Sequence, residues 1–218
     1  MNTVAEVLHL FAGPKHTVPY LNSTVETAIF KSELIDSVNV TTLGIEHDEQ
    51  ADTKHHGGPD KALCVYLNES YRYWKKYDQY EISNGSFGEN LILSQVKEDE
   101  VCIGDTYKIG ELVVQVSQPR QPCFKLAVRN GWKEMTVISR NSGYTGFYLR
   151  VLEEGTLVPH AQVELVSRIE PRISIKEANT LLYSPDASIE RLTTLINVKE
   201  LAEAFRKDLI KKLNKIQK

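Results

Sequence analysis

The chain has 218 residues, of which 41% are apolar and 25% are charged, and its formal net charge is −3. These values exclude a chain too polar to bury a core and are ordinary for a globular protein. The first ten residues lack the basic start and apolar core of a signal peptide, and no apolar stretch approaches the length of a membrane span. We therefore expect a cytoplasmic protein without a membrane partner.

The C-terminal part of the chain differs in charge from the rest. Residues 171–218 contain ten Lys or Arg and six Asp or Glu, a net charge of +4, which leaves −7 on residues 1–170. A basic tail can contact nucleic acid, but no arginine-rich run or interleaved aromatic stripe supports that use. We interpret the charge as a solvated helix face and expect no nucleic-acid partner.

Short runs of β-forming residues, separated by turn residues, occupy much of the first 170 positions. In chain order they cover residues 4–11, 24–30, 62–67, 90–93, 111–117, 146–152 and 162–169. Pro and Gly lie at the edges of these runs or between them, where no ladder hydrogen bond is lost. This rhythm predicts a mainly β domain, a barrel or a sandwich, over residues 1–170.

Two stretches inside this domain have helical spacing, residues 68–77 and residues 132–141, and Gly143 follows the second. The first carries the aromatic residues Tyr71, Tyr73, Trp74 and Tyr77. Such a cluster can stack on a base, but at helical spacing it usually belongs to the core. We predict that these helices pack on the β domain.

After Arg168 the pattern changes to helical periodicity. Ser174 and Glu177 have the spacing of a capping box, a second short helix is predicted over residues 188–196, and Asn197 repeats the capping pattern. Leu201, Phe205, Leu209 and Leu213 then form one apolar stripe. Residues 171–218 are therefore predicted to form a small C-terminal three-helix subdomain.

The first candidate for chemistry is a polar loop over residues 54–61. Gly57 and Gly58 allow the backbone amides to turn inward around an anion, and Lys54, His55, His56 and Lys61 add positive charge or donors. The alternative is a polar β-turn whose histidines face solvent. Adjacent histidines point to opposite sides of an extended chain, which argues against structural zinc.

The second candidate is the glycine turn of Phe87, Glu89 and Asn90, where the carboxylate can act as an acid or base if it is partly buried. The third is the loop of Pro119 and Pro122, which ends at Cys123. Arg120 and Lys125 beside this cysteine favour the thiolate, which is both a nucleophile and a soft metal ligand. The alternative is a chance cysteine in a surface loop.

The other two cysteines, Cys64 and Cys102, lie in apolar runs, where cysteine usually serves as a small buried hydrophobe. An odd number of cysteines without an export signal argues against a disulfide framework. We therefore interpret Cys64 and Cys102 as structural, and Cys123 as the cysteine best placed for chemistry.

Taken together, five segments resemble the MOSC family, named for the C-terminal domain of molybdenum cofactor sulfurase, and in particular its bacterial YiiM-like branch. The segments are residues 44–52, 56–63, 87–91, 116–125 and 143–150. Each is a weak signal alone, but their order over about a hundred residues is specific, and the terminal helices resemble the appendage of that branch. One departure is His47, which stands where relatives usually have Gly and places the local turn in doubt.

The resemblance implies a MOSC-type β-barrel that binds molybdenum cofactor, a molybdenum atom carried by a pterin dithiolene and phosphate. Cys123 matches the cysteine that ligates the metal. By position, Gln118 and Arg120 are expected to orient the pterin or the oxo groups. The expected groove contains the residues Lys54, His55, His56, Gly57, Gly58, Lys61, Phe87, Glu89 and Asn90.

The resemblance also implies an oxidoreductase that converts N–OH to N–H in N-hydroxylated compounds such as 6-hydroxylaminopurine. The sequence has no dinucleotide fingerprint, haem-attachment motif or iron–sulfur cysteine cluster, so we expect electrons from a flavoprotein, flavodoxin or ferredoxin. The basic C-terminal helices are one candidate docking surface for such a donor. The alternatives are a cofactor carrier without turnover and a sulfur carrier that forms a persulfide on Cys123.

Overall fold

The computed structural model describes residues 2–52 and 57–217. Within those ranges the strands are β1 (Asn2–Ala12), β2 (His16–Tyr20), β3 (Ser23–Thr27), β4 (Ser32–Leu34), β5 (Val38–Thr41), β6 (Gly44–Ile45), β7 (Leu63–Leu67), β8 (Leu91–Leu93), β9 (Thr106–Ile109), β10 (Leu112–Pro119), β11 (Phe147–Glu153), β12 (Gly155–Leu157) and β13 (Gln162–Ser167). The helices are α1 (Asn68–Trp74), α2 (Lys125–Asn130), α3 (Met135–Ser142), α4 (Ile175–Tyr183), α5 (Ile189–Ile196) and α6 (Glu203–Ile216).

Seven strands form a closed barrel in the order β13, β9, β10, β11, β7, β8 and β1, which β1 closes by pairing with β13. All of these pairings are antiparallel except that of β7 with β8, which is parallel. The far end of β1 also pairs with β4. A closed barrel leaves its central strands without a free edge. The prediction of a mainly β barrel is confirmed.

The alternation of side chains along the strands explains why the sheet closes around an apolar interior. In β10, Leu112, Val114 and Val116 are fully buried, whereas the intervening Val113 and Gln115 are partly exposed. Successive side chains of a strand point to opposite faces of the sheet, so one face of β10 enters the core. A second apolar cluster, rich in aromatic residues, packs helix α1 against the barrel. The assignment of the aromatic residues of α1 to packing fits this arrangement.

Two of the three C-terminal helices begin where they were predicted, and a capping serine precedes each of the two. Ser174 Oγ accepts a hydrogen bond from the backbone of Glu177 at 3.1 Å, and Ser188 caps α5 in the same way. The expected start of the third helix at Asn197 is wrong, because Asn197 ends α5 and α6 begins at Glu203. Arg206 holds the intervening turn by donating to the carbonyl groups of residues 196, 198 and 201.

The C-terminal helices and the barrel share one continuous apolar cluster. Ile175, Leu195, Phe205 and Leu209 of the helices are fully buried in the same cluster as the inward residues of β10. The division of the chain at residue 170 stays a prediction. None of the helices in the described part of the chain is long and apolar enough to cross a membrane.

Candidate cofactor-binding site

A cleft lies where the segments 27–31, 48–52, 87–90 and 120–125 converge on the starts of β7 and β11. As bounded by the described residues it encloses about 570 Å³, part of which is open to solvent. The described lining residues are Thr27, Ala28, Ile29, Lys31, Asp48, Glu49, Gln50, Ala51, Asp52, Lys61, Cys64, Phe87, Gly88, Asn90, Arg120, Cys123, Lys125 and Tyr148.

The turn that precedes β8 is held from beneath by Glu89, whose side chain is buried. Glu89 Oε1 accepts a hydrogen bond from the backbone N–H of Gly85 at 2.8 Å, and Oε2 accepts one from that of Phe87 at 3.0 Å. The Tyr71 hydroxyl donates to the same carboxylate. The oxygens of Glu89 are thus occupied by the protein itself, and this residue shapes the cleft without lining it.

Close packing fixes the same turn against neighbouring elements. The Phe87 ring stacks on Tyr66 with centroids 3.8 Å apart. Gly88 has a φ of +67°, and a Cβ atom built there would lie 2.6 Å from Ile29 Cγ1. A side chain at position 88 would therefore both strain the backbone and push Ile29 out of the cleft wall.

Asn90 joins three segments of the cleft wall. Its Oδ1 accepts a hydrogen bond from the backbone N–H of Cys64 at 3.0 Å, and its Nδ2 donates to Asp48 Oδ2 at 2.8 Å and to the Phe11 carbonyl at 3.1 Å. Asp48 forms a buried ion pair with Lys31. Because both ends of the amide are used in this network, Asn90 holds the wall together. Lys31, the ion-pair partner of Asp48, lines the cleft.

The turn before Asp48 keeps a left-handed backbone although a histidine occupies it. His47 has a φ of +67°, and the N–H of Asp48 donates to the Ile45 carbonyl at 3.1 Å. A non-glycine residue in this conformation is strained by about 1 to 2 kcal/mol. The doubt raised by His47 about this turn is thus resolved: the backbone adopts the conformation that a glycine would favour.

The cysteine loop, residues 119–124, connects β10 to α2. The carbonyl of Cys123 accepts hydrogen bonds from the N–H of Leu126 at 3.1 Å and from Thr136 Oγ1 at 3.0 Å. The Cys123 side chain is of intermediate exposure and lines the cleft. The loop is therefore anchored on both α2 and α3, with the sulfur-bearing residue at the rim of the cleft.

Arg120 is buried against the floor of the cleft, with 6% of the residue exposed. Its backbone N–H donates to the Gly146 carbonyl at 3.0 Å. Within the part of the chain that the structure describes, its Nη1 is buried and has no hydrogen-bond acceptor. The pKa of the guanidinium is raised, although burial alone would lower it, because Cys64, Tyr148 and Cys123 lie nearby. Arg120 is thus a charged donor that faces the cleft with unused hydrogen-bonding capacity.

Two other groups near Arg120 stay protonated at neutral pH. Burial raises the pKa of the Cys64 thiol to about 11, and burial followed by the proximity of Cys64 raises the pKa of Tyr148. Cys64 and Tyr148 are paired directly across β7 and β11. Cys64 is buried, as expected, but it also lines the cleft. Its raised pKa makes Cys64 a poor thiolate ligand at neutral pH.

Lys61 ends the short 3-10 turn Pro59–Lys61 that leads into β7. Burial lowers the pKa of its ammonium group, opposed by the charges of Asp60, Asp208 and Asp52. Its Nζ lies 5.9 Å from the centre of the Tyr148 ring. A bound anion beside Lys61 would favour the protonated form and so gain a charge-assisted contact.

The structure brings together five of the residues predicted for the site. Lys61, Phe87, Asn90, Arg120 and Cys123 all line the cleft. Gln118 and Glu89 are buried outside the lining, as Gln118 Nε2 donates to the adjacent Pro119 carbonyl. Gly57 and Gly58 precede the 3-10 turn and are outside the lining. The remaining three predictions, Lys54, His55 and His56, lie outside the described residues.

Sequence reasoning did not single out Lys31, Asp48 or Tyr148 as site residues. Asp48 and Tyr148 do lie in two of the segments that carry the family resemblance, so that signal was present. Lys31 follows a run of β-type residues and carries no local mark of its role. Its place in the cleft depends on its ion pair with Asp48, seventeen positions later.

The barrel and the cleft with its rim cysteine agree with what comparison with known proteins finds. The MOSC domain model matches residues 52–164, and the chain belongs to the MOSC family. Its similarity extends over nearly the whole length to YiiM proteins. The crystal structure of YiiM from Geobacillus stearothermophilus superposes with a TM-score of 0.80 at 32% identity, covering 96% of this chain and 99% of that one.

Three curated relatives extend this picture. YflK of Bacillus subtilis is 43% identical over 96% of this chain and 95% of its own length. YiiM of Escherichia coli is 34% identical over 85% of this chain and 84% of its own length. A protein of Gibberella moniliformis named "Reductase" is 30% identical over 79% of this chain but only 31% of its own length.

Proposed function

We propose that this chain is a cytoplasmic, molybdenum-cofactor-dependent reductase of N-hydroxylated compounds such as 6-hydroxylaminopurine. The observation that carries the proposal is the convergence of Cys123 and Arg120 on one cleft. A soft sulfur ligand for the metal and an unsatisfied cationic donor for oxo or phosphate groups are what the cofactor requires. When bound, the cofactor would supply the two-electron chemistry that converts N–OH to N–H.

The charges of the cleft suit an anionic cofactor. Its described lining carries the basic residues Lys31, Lys61, Lys125 and Arg120 against the acidic residues Asp48, Glu49 and Asp52, and Lys31 is paired with Asp48. The phosphate of a pterin cofactor would compensate the buried charge of Arg120 and restore the lowered pKa of Lys61 toward its ordinary value. In this proposal Cys123 ligates the metal, and Arg120 and Lys61 hold the anionic groups.

The donor set also fits a metal that brings most of its own ligands. Among the described residues, no three His, Cys, Asp or Glu side chains converge as a protein-only metal site. Cys123 alone would give a bare transition metal only one protein ligand, which is too few to hold it. A cofactor that carries dithiolene and oxo ligands needs only one protein sulfur, which is what the cleft offers.

The neutral groups of the cleft have a different role in the proposal. Tyr148, whose pKa is raised by burial, keeps its phenolic proton and lies close enough to Arg120 to orient it. Phe87 and Ile29 are buried apolar residues of the cleft lining and exclude water from the part of the cleft that they line. Exclusion of water strengthens the attraction between the cleft's cations and a bound anion.

One relative, matched over 31% of its own length, supports a redox role. The Gibberella protein is named a reductase, and the matched region covers most of this chain. We propose that electrons arrive from a separate flavoprotein, flavodoxin or ferredoxin. The basic residues of α6, which include Lys207, Lys211 and Lys215, provide a surface of suitable charge for an acidic donor.

The test uses Cys123→Ser protein purified from a host that makes the cofactor. We expect bound molybdenum and reduction of N-hydroxylated substrates with an artificial electron donor to fall to background, because a hydroxyl is not deprotonated enough to replace the thiolate. Cys102→Ala is the matched control, since Cys102 is buried elsewhere, and it should keep both properties. Full activity of the Cys123→Ser protein, with molybdenum bound, would falsify the assignment.

The same experiment separates the alternatives. Wild-type protein that holds molybdenum but reduces no N-hydroxylated substrate with the artificial donor would indicate a cofactor carrier. Wild-type protein that holds persulfide sulfur on Cys123 and no molybdenum would indicate sulfur transfer.

A further inference from the structure

Helix α6 contacts the cysteine loop through the side chains of Asp208 and Gln121. Gln121 Nε2 donates a hydrogen bond to Asp208 Oδ2 at 3.0 Å, across 87 positions of the chain. Gln121 lies between Pro119 and Pro122 and two positions before Cys123. Because Pro119 and Pro122 each fix their own φ, and Pro122 also restricts the backbone of Gln121, a restraint on this side chain is passed to the loop rather than absorbed by backbone rotation.

The other end of this contact is anchored firmly. Phe205 and Leu209, which flank Asp208 on α6, are fully buried. The N–H of Ala202, just before α6, donates to the carbonyl of Ser117 at 2.9 Å, close to where β10 ends. Helix α6 is thus fixed relative to the same strand that carries the cysteine loop, and Asp208 projects from a rigid element.

We propose that Asp208 is a positioning residue, which through Gln121 holds the cysteine loop so that the Cys123 sulfur faces the cleft. The inference rests on the proposed function, since a metal ligand is the reason for the sulfur to be held in place. It assigns a site role to the C-terminal helices, all of which follow the residues matched by the MOSC domain model.

The ionisation of Asp208 agrees with this role. Burial acts to raise the pKa of this carboxyl, but the hydrogen bond from Gln121 and the proximity of Lys211 outweigh burial, so the pKa is lowered. Asp208 is therefore a carboxylate at neutral pH. A charged acceptor makes the stronger hydrogen bond with the Gln121 amide.

The test measures how fast iodoacetamide alkylates Cys123 in the full-length protein from a host that does not make the cofactor. Cys123→Ser protein gives the background from Cys64 and Cys102. We expect Asp208→Ala and Gln121→Ala each to raise the rate about three- to tenfold, the range that corresponds to one net hydrogen bond. The double variant should react no faster than Gln121→Ala, because Gln121→Ala already removes the contact with Asp208, together with a hydrogen bond between Gln121 and Tyr183.

Two further variants separate the hydrogen bond from other effects. Asp208→Asn keeps an oxygen acceptor for Gln121, but an uncharged and weaker one, and should react at a rate between those of the wild type and Asp208→Ala. Glu203→Ala removes another acidic side chain of α6, one that pairs with Arg206 and Lys207, and should also leave the rate unchanged. Circular dichroism and the Tm of each variant show that the fold is kept. If Asp208→Ala does not fold, Gln121→Ala is compared with Tyr183→Phe, which removes only the hydrogen bond between Tyr183 and Gln121, and a higher rate in Gln121→Ala then reports the contact with Asp208.

Three results would overturn the proposal: a wild-type or lower rate in Asp208→Ala, additive effects in the double variant, or an Asp208→Asn rate as high as that of Asp208→Ala. Molybdenum content of the wild-type protein from a cofactor-producing host is measured in parallel. Absence of molybdenum there would contradict the proposed function, whereas the alkylation rates decide the role of Asp208 independently.

Discussion

Replacing Arg120 by Met should stabilise the protein while it weakens cofactor binding. Arg120 is buried, and its Nη1 has no acceptor among the described residues. A buried donor left unsatisfied costs about 1 to 3 kcal/mol. The hydrogen bond between Arg120 and Tyr148, which Met cannot make, contributes about 0.5 to 1.5 kcal/mol. Met has a flexible apolar side chain that can fill the space of the arginine stem. The expected net gain in the free energy of unfolding is about 1 kcal/mol.

The assay is urea unfolding at pH 7 of full-length protein made without the cofactor. With a slope of about 2 kcal/mol per molar urea, the midpoint should rise by roughly 0.5 M at an unchanged slope. Bound molybdenum in protein from a cofactor-producing host should fall at the same time. Where function requires an unsatisfied buried charge, replacing the charged residue by an apolar one is expected to raise the free energy of unfolding.

Arg168→Met is the matched control and should have the opposite effect. Arg168 donates to both carboxylate oxygens of Asp105, at 2.7 and 2.6 Å, and Asp105 is fully buried. Removing the guanidinium leaves a buried charge without its partner, which costs about 3 to 5 kcal/mol. If Arg120→Met destabilised the protein as much as Arg168→Met, the reasoning would be refuted, because Arg120 would then be fully paired in the folded chain.

Three further predictions concern the fold. Burial raises the pKa of Glu98 from 4.5 to about 7, so protonated Glu98 contributes to the free energy of unfolding below pH 4.5, and this contribution is lost as the pH rises through 7. Relative to Glu98→Gln, the free energy of unfolding of the wild-type protein in urea should fall by about 2 to 3 kcal/mol between pH 5 and pH 8. Parallel pH profiles of the two proteins would contradict this. Gly131→Ala should lower the free energy of unfolding by about 1 kcal/mol, because the backbone there is left-handed but the space around position 131 is open. Gly146→Ala should lower it further, because a Cβ at position 146 would also lie 2.2 Å from the Val65 carbonyl oxygen. Equal unfolding midpoints of the two variants would exclude the clash. A variant that ends at residue 170 tests whether the barrel folds without the C-terminal helices. Because the barrel and the helices share one apolar cluster, the truncated protein should unfold at a lower urea concentration than the 218-residue chain. Equal urea midpoints would show that residues 1–170 fold independently.

The elements that sequence patterns predicted well are those whose signal is local. The caps of α4 and α5 are predictable because Ser174 and Ser188 bond to backbone groups three residues away. Strands such as β10 are predictable because alternation is visible within eight residues. By contrast, β2 carries mostly exposed residues, so no apolar periodicity marked it. The start of α6 was misplaced because Arg206, later in the chain, holds residues 198–202 as a turn.

The sequence by itself determined the family, the β-barrel class and the position of Cys123, which follows two prolines and has basic neighbours. Only the tertiary structure decided which side chains share the cleft with it. Glu89 belongs to a predicted site segment, yet its carboxylate is used by backbone N–H groups beneath the turn. Lys31 and Asp208 carry no local signal, because a charge acquires its role from the partner it meets. Those partners, Asp48 and Gln121, are brought close by barrel closure and helix packing, which no short window of sequence contains.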